Sequence, residues 1–263
     1  MNRIQTIIDK EWAEVFKNRI VLFTVAFLPL LFTALPLIIL YATKGAAETG
    51  SGDVADLPPQ FLEACGSIAP GECFQIFMVN QFMVLFMMMP LIIPIAIAAY
   101  SIVGEKATRS LEPLLATPIT TVELLTGKSL AAALPAILAT WGSFAIFLIA
   151  APLVGASPAV FANLLSPVWL LAILVAGPLM AIVAVNFALI VSSRVSDPRV
   201  AEQVSAVIIV PLLGLVFGQI AGVIILNVQF MLIAVGVLGL VDVGLIYLGA
   251  RLFQRETILT KWK

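Results

Sequence analysis

The chain has 263 residues, 62% of them hydrophobic and only 11% charged, with a formal net charge of −1. Soluble domains carry ~45–50% apolar and ~25% charged residues, so too little polar surface is present to cover a water-soluble core. A soluble enzyme is excluded. There is no histidine, which removes the commonest metal ligand and the usual acid–base group near neutral pH.

The mean hydropathy is +1.13, and the apolar stretches have helical length rather than the ~10-residue alternation of a barrel. The expected fold is all-α: a polytopic membrane protein of six transmembrane helices with an N-terminal amphipathic interfacial helix, forming one domain over residues 1–263. Within residues 1–20, Ile4, Ile7, Ile8, Trp12, Val15 and Phe16 recur at helical spacing, with Asp9, Lys10, Glu14 and Lys17 between them. That pattern predicts a helix lying along the inner membrane surface with Trp12 at headgroup level. It does not have the layout of a cleavable signal. It serves as an anchor or as a mechanical part.

The six spans are placed at about 21–41, 76–103, 129–154, 167–192, 204–226 and 230–250, each long enough for a ~30 Å hydrocarbon layer. Pro29, Pro36, Pro90, Pro94, Pro135, Pro178 and Pro211 fall inside them, so kinks are expected. Lys44 alone among the lysines and arginines falls on the side opposite the termini. The positive-inside rule then places both termini in the cytoplasm. The external loop 42–75 is acidic and holds Cys65 and Cys73, eight residues apart. They form either a local disulfide or two free thiols.

Residues 104–128 follow the second span. Pro113 and Pro118 break the emerging helix, and Thr120 with Glu123 predicts a capping box that restarts it. The result is an elbow with Leu111, Leu114, Leu115 and Ile119 beside Glu105, Lys106, Arg109, Glu112, Glu123 and Lys128. Apolar anchors with a charged rim suit docking to a soluble protein; ordinary packing of a loop on its neighbours is the other reading. Gly127-Lys128-Ser129 resembles the end of a phosphate loop, but Val122 stands where that motif needs its first glycine. No nucleotide site is expected in this chain.

In the fifth span Gly214, Gly218 and Gly222 recur every four residues, a pattern that permits close helix contact, within the chain or between two chains. In the sixth, Asp242 is the one deep residue charged at neutral pH. A carboxylate there costs ~2.5–3.5 kcal/mol to insert, so it should face the bundle or a wet cavity, with Gln219, Asn186, Ser205 or Tyr247 as partners. It is a pathway residue or a structural one. No catalytic, cofactor-binding or metal-binding residue is expected.

The run Gly-Glu-Lys…Ser-Leu-Glu-Pro-Leu-Leu-Ala-Thr-Pro-Ile…Glu-Leu-Leu…Gly-Lys over 104–128 resembles the signature loop of ATP-binding-cassette type 2 permeases. The layout of the whole chain is similar to theirs, and so is the stretch 192–203. The resemblance implies the permease subunit of an exporter in a prokaryotic plasma membrane. Two permeases, identical or related, would assemble with two separate ATPase subunits that hold ATP and magnesium. Glu105, Arg109, Glu112, Leu114, Leu115, Ile119 and Glu123 would then belong to the coupling helix. Gly214, Gly218 and Gly222 would line the permease dimer contact, in which the first and fifth helices meet. Loop 42–75 is shorter than the external domain of many sodium-exporter-like members, so the substrate stays open. Membrane lipid is the expected surrounding, and nucleic acid is not an expected partner. The residues alone also allow an autonomous channel or ion-coupled carrier, lined by Asp242, Asn186, Gln219 and Asn80, or a non-transporting assembly factor.

Overall fold

The structure, a computed structural model, describes residues 3–15, 17, 19–49, 65–66, 68–107 and 119–252. Those residues form helices and connecting turns with no strand, and six helical segments are long and apolar enough to cross a membrane. The first helix, α1 (Arg3–Val15), leads into α2 (Arg19–Thr49), the first span, which contains Pro29 and Pro36. The second span is built from α3 (Pro70–Phe86) and α4 (Met89–Ala107). Where the hydropathy reads as one long stretch, the helix is interrupted at Met87–Met88. Pro90 carries no N–H to bond the Phe86 carbonyl, and its ring crowds the preceding turn. The chain crosses the gap through shorter bonds, Met87 N–H to Val84 O at 3.1 Å and Met88 N–H to Leu85 O at 2.8 Å.

The third span is α5 (Thr121–Val154). Its start carries the predicted capping box: the Thr120 hydroxyl accepts from the Glu123 N–H, and the Glu123 carboxylate accepts from the Thr120 N–H. Two short helices follow, α6 (Pro158–Leu164) and α7 (Pro167–Leu171). A π-helical turn over Ala172–Ala176 joins α7 to α8 (Gly177–Arg194), and α6 to α8 make up the fourth span. Here too a proline sets the local register, because Pro178 cannot donate to the Leu174 carbonyl. The Trp141 indole N–H on α5 donates to the Ile173 carbonyl of this turn at 3.0 Å.

The fifth span is α9 (Pro198–Ser205), a 3-10 turn over Ala206–Ile209 and α10 (Val210–Ile220). It begins and ends earlier than the expected 204–226. Asp197 caps its start by accepting from the Arg199 N–H at 2.7 Å, and Gly222 ends it in the left-handed region at φ 71°. The last span is α11 (Val228–Leu252), and the Asn227 side chain accepts from the Phe230 N–H at 2.7 Å.

The second and fourth spans form the centre of the bundle. Of the most apolar stretch of each, 78% and 56% is buried, against 11% in the first and sixth spans. The contact between α4 and α8 is the most extensive in the molecule. Small residues permit it: Ala98 and Ala99 on α4, and Ala181, Ala184 and Ala188 on α8, are all buried. At one end of this contact the Ser192 hydroxyl donates to Ala99 O at 2.8 Å and accepts from the Val103 N–H at 3.1 Å. The outer faces of α2, α10 and α11 present Phe23, Leu30, Phe217 and Leu240 outward, as lipid-facing surfaces do.

Candidate functional site: a buried charge network under the first helix

α1 is amphipathic, but its apolar stripe meets protein. Ile7 is buried against Gly127 of α5, where a Cβ would stand 2.8 Å from the Ile7 side chain. Glycine is therefore what lets the two helices approach so closely. The Trp12 indole N–H donates to the Ala131 carbonyl of α5 at 3.0 Å. Its one donor thus docks α1 onto the third span.

In the middle of that stripe lies Glu11, 4% exposed. Its Oε1 accepts from Lys128 Nζ at 2.7 Å, and its Oε2 accepts from the Ser101 hydroxyl at 2.8 Å. Lys128, 3% exposed, also donates to the Ser101 hydroxyl at 2.7 Å and lies 3.0 Å from Glu105 Oε1. Lys10 closes the group by donating to the same Glu105 oxygen. Two ammonium groups and two carboxylates thus share one small volume, with no net charge. α1 supplies Lys10 and Glu11, α4 supplies Ser101 and Glu105 one helical turn apart, and α5 supplies Lys128.

The electrostatics follow from that composition. Burial works against the charge on Lys10, but its hydrogen bond to Glu105 and the charges of Glu105, Glu11 and Glu14 outweigh it, holding the ammonium above its ordinary range. Removing one member of a buried ion pair costs about 3–5 kcal/mol, since it leaves an uncompensated charge. α4 runs into residues 108–118 and α5 starts just after them. The network therefore ties α1 to the helices on either side of residues 108–118.

Glu105, expected on the rim of the elbow, is 3% exposed and belongs to this network. That expectation is corrected: its carboxylate is held by two lysines and is not presented outward. Arg109, Glu112, Leu114 and Leu115 lie outside the described residues. Ile119 is half-buried, and Glu123 is engaged by Thr120 and by the Arg3 guanidinium at 3.5 Å.

Gly214 has open space around it, Gly218 packs on Ile224 of its own chain, and Gly222 lies past the end of α10. The three do not share one helix face, because the helix stops at Ile220. Asp242 is 5% exposed, and neither carboxylate oxygen has a hydrogen-bond partner among the described residues. Its expected partners are engaged elsewhere or leave it unbonded. Asn186 accepts from the Ser129 hydroxyl at 3.4 Å and donates to Ile182 O. Tyr247 is exposed beneath the Arg251 guanidinium. The Ser205 hydroxyl and the Gln219 carbonyl are themselves unbonded. Cys65 and Cys73 are joined in a disulfide with a Cα–Cα distance of 5.9 Å. Among the described residues no three histidine, cysteine or acidic side chains gather as metal ligands.

The sequence reasoning missed Lys10, Glu11, Ser101 and Lys128 as site residues. One signal was present. Glu11 falls four residues after Ile7 and three after Ile8, inside the apolar stripe, where an acid requires a buried cation. Which cation answers it depends on helix adjacency.

The model of a family described as ABC-2 family transporter protein matches residues 5–256. No curated protein sequence matches the chain. The family match takes in α1 from Gln5 onward, all six spans and every member of the charge network, and this integral membrane chain belongs to the ABC-2 transporter family.

Proposed function

We propose that the chain is the permease subunit of an ATP-driven exporter in a prokaryotic plasma membrane, with both termini in the cytoplasm. Two copies, or one copy and a related permease, form the pathway. Two separate ATPase subunits bind beneath them and hold the ATP and magnesium. Residues 104–128 are the coupling elbow, in which Leu114, Leu115 and Ile119 anchor in the ATPase and Arg109 and Glu112 contact its rim.

The observation that carries this reading is the charge network. A docking elbow transmits force only if its roots are rigid, and Lys10, Glu11, Glu105 and Lys128 tie both roots to α1. Family membership and the elbow motif supply the partner. A ligand shifts a conformational equilibrium only through differential affinity, so nucleotide binding moves the elbows through the closed ATPase pair. The kinks at Pro90 and Pro178 then let the spans reopen on the far side. The first and fifth spans, with Gly214 on an open surface, are the faces offered to the second permease.

The test is co-purification of the tagged chain from its host, compared with a variant carrying Arg109→Glu and Glu112→Lys. The wild type should retain an ATPase, and the variant should lose it together with transport-coupled hydrolysis. Wild-type levels of both in the variant would sink the assignment. An ATPase-free preparation that conducts ions would favour a channel instead.

A further inference from the structure

The end of the bundle that carries the disulfide holds a cavity of about 290 Å³, bounded by α3, the corner between α6 and α7, and the turn after α10. Its volume lies near the lower limit of the ~300–1,000 Å³ typical of small-molecule sites. Phe77, Val168, Ile225 and Leu226 make apolar walls. The disulfide packs with Phe77 at its edge. Asn80, Asn163, Ser166, Trp169 and Gln219 supply polar groups, and among the described residues no Asp, Glu, Lys or Arg lines it.

The polar groups are arranged and only partly used. Asn80 Oδ1 accepts from Asn163 Nδ2 at 2.7 Å and from Trp169 Nε1 at 3.0 Å. Those two bonds occupy both lone pairs of that oxygen and hold the two amides and the indole as one unit. The Asn80 amide donors and the Asn163 side-chain oxygen have no partner among the described residues, while the Asn163 backbone carbonyl accepts from the Ser166 N–H at 3.1 Å. The Gln219 side-chain oxygen is buried away from the open space and also has no partner among the described residues. An unpaired amide group inside a folded chain is uncommon. Here an unused donor on Asn80 and an unused acceptor on Asn163 stand side by side at one uncharged pocket.

We infer that this cavity binds a small uncharged amphiphile: a hydroxyl- or amide-bearing head with a short apolar chain. The head donates to Asn163 Oδ1 and accepts from Asn80 Nδ2, and the chain lies along Phe77, Val168 and Leu226. A charged head would be desolvated with no countercharge, which is costly, and a polar solute without a chain leaves the apolar wall uncovered. The inference concerns binding by this chain alone and does not rest on the coupling reading.

The experiment is calorimetry on the full-length protein in phosphatidylcholine nanodiscs, without ATP or an ATPase, using empty nanodiscs as the control. The probes are hexyl β-glucoside, glucose, hexyltrimethylammonium and hexyl sulfate. Hexyl glucoside should bind saturably above the control and at least about tenfold more tightly than the other three. Asn163→Leu should weaken it by about tenfold, as expected for one uncharged hydrogen bond, and Ala159→Trp should abolish it by filling the cavity. Asn80→Leu strands Asn163 and Trp169, whereas Asn163→Leu leaves Asn80 bonded to Trp169, so the latter is the decisive variant. The proposal is overturned by no saturable binding, by equal binding of either ion, or by wild-type affinity in Asn163→Leu.

Discussion

Glu11 and Asp242 are both almost fully buried carboxylates in the same chain, at 4% and 5% exposure, but they sit in opposite electrostatic circumstances. Glu11 has a lysine and a hydroxyl on its two oxygens, and the network around it sums to zero charge. Asp242 has no hydrogen-bond partner among the described residues. The first arrangement converts the cost of burying charge into specificity: three elements must be in register before all four groups are satisfied. The second carries the cost without that return: among the described residues no hydrogen bond holds the Asp242 carboxylate.

The comparison can be broken or sharpened by substitution. Lys128→Ala should have the largest effect, lowering stability by about 3–5 kcal/mol because Glu11 and Glu105 lose their shared buried cation. Thermal unfolding of the protein in nanodiscs measures it. Replacing both Glu11 and Lys128 with methionine should cost less than the two single changes together, by about 0.5–3 kcal/mol of coupling. Strict additivity would mean that the network is not a unit.

Gly127→Ala tests the same region without touching a charge. Its Cβ would overlap Ile7, and overpacking of this kind costs about 1–3 kcal/mol. Limited proteolysis should show α1 released while the spans remain protected. Asp242→Asn should act in the opposite direction, raising the unfolding midpoint, since it removes a carboxylate that inserts at a cost. A loss comparable to that of Lys128→Ala would reveal a partner for Asp242 and erase the contrast.

The smallest effect is that of pH on Lys10. Its folded-state pKa is raised above the ordinary 10.5. The stabilisation is then fully present below pH 10.5 and is lost as the pH climbs through the folded value. Unfolding measured from pH 7 to 10 should not report this lysine at all, and a falling midpoint should begin only above that window. Lys10→Met should remove the alkaline limb.

Much of the fold was legible because it rests on local requirements. A segment in hydrocarbon must satisfy its own backbone, so length and hydropathy alone count six spans. The capping box at Thr120 and Glu123 was readable for the same reason, since its partners are three residues apart. The interruption at Pro90 and the end of α10 at Ile220 were less so. Proline signals a kink without saying whether the chain restarts as one helix or two, and three glycines at helical spacing do not reveal that the last of them is a turn. The site was legible only in outline. Glu105 was expected among the charges at the rim of 104–128, whereas it is buried between Lys10 and Lys128.

What the sequence determined by itself is the class of molecule: an all-α chain of six spans behind an amphipathic helix, with charge gathered in the segments outside the expected spans and at Asp242. Those are properties of composition and of contacts within one turn of helix. Only the tertiary structure decided which charges meet. Glu11 and Lys128 are 117 residues apart, and Lys10 and Glu105 are 95 apart. Any lysine can answer any buried acid as far as sequence is concerned. The choice was made when Gly127 let α1 lie against α5, and the packing of α5 on α4 brought Ser101 and Glu105 to the same place.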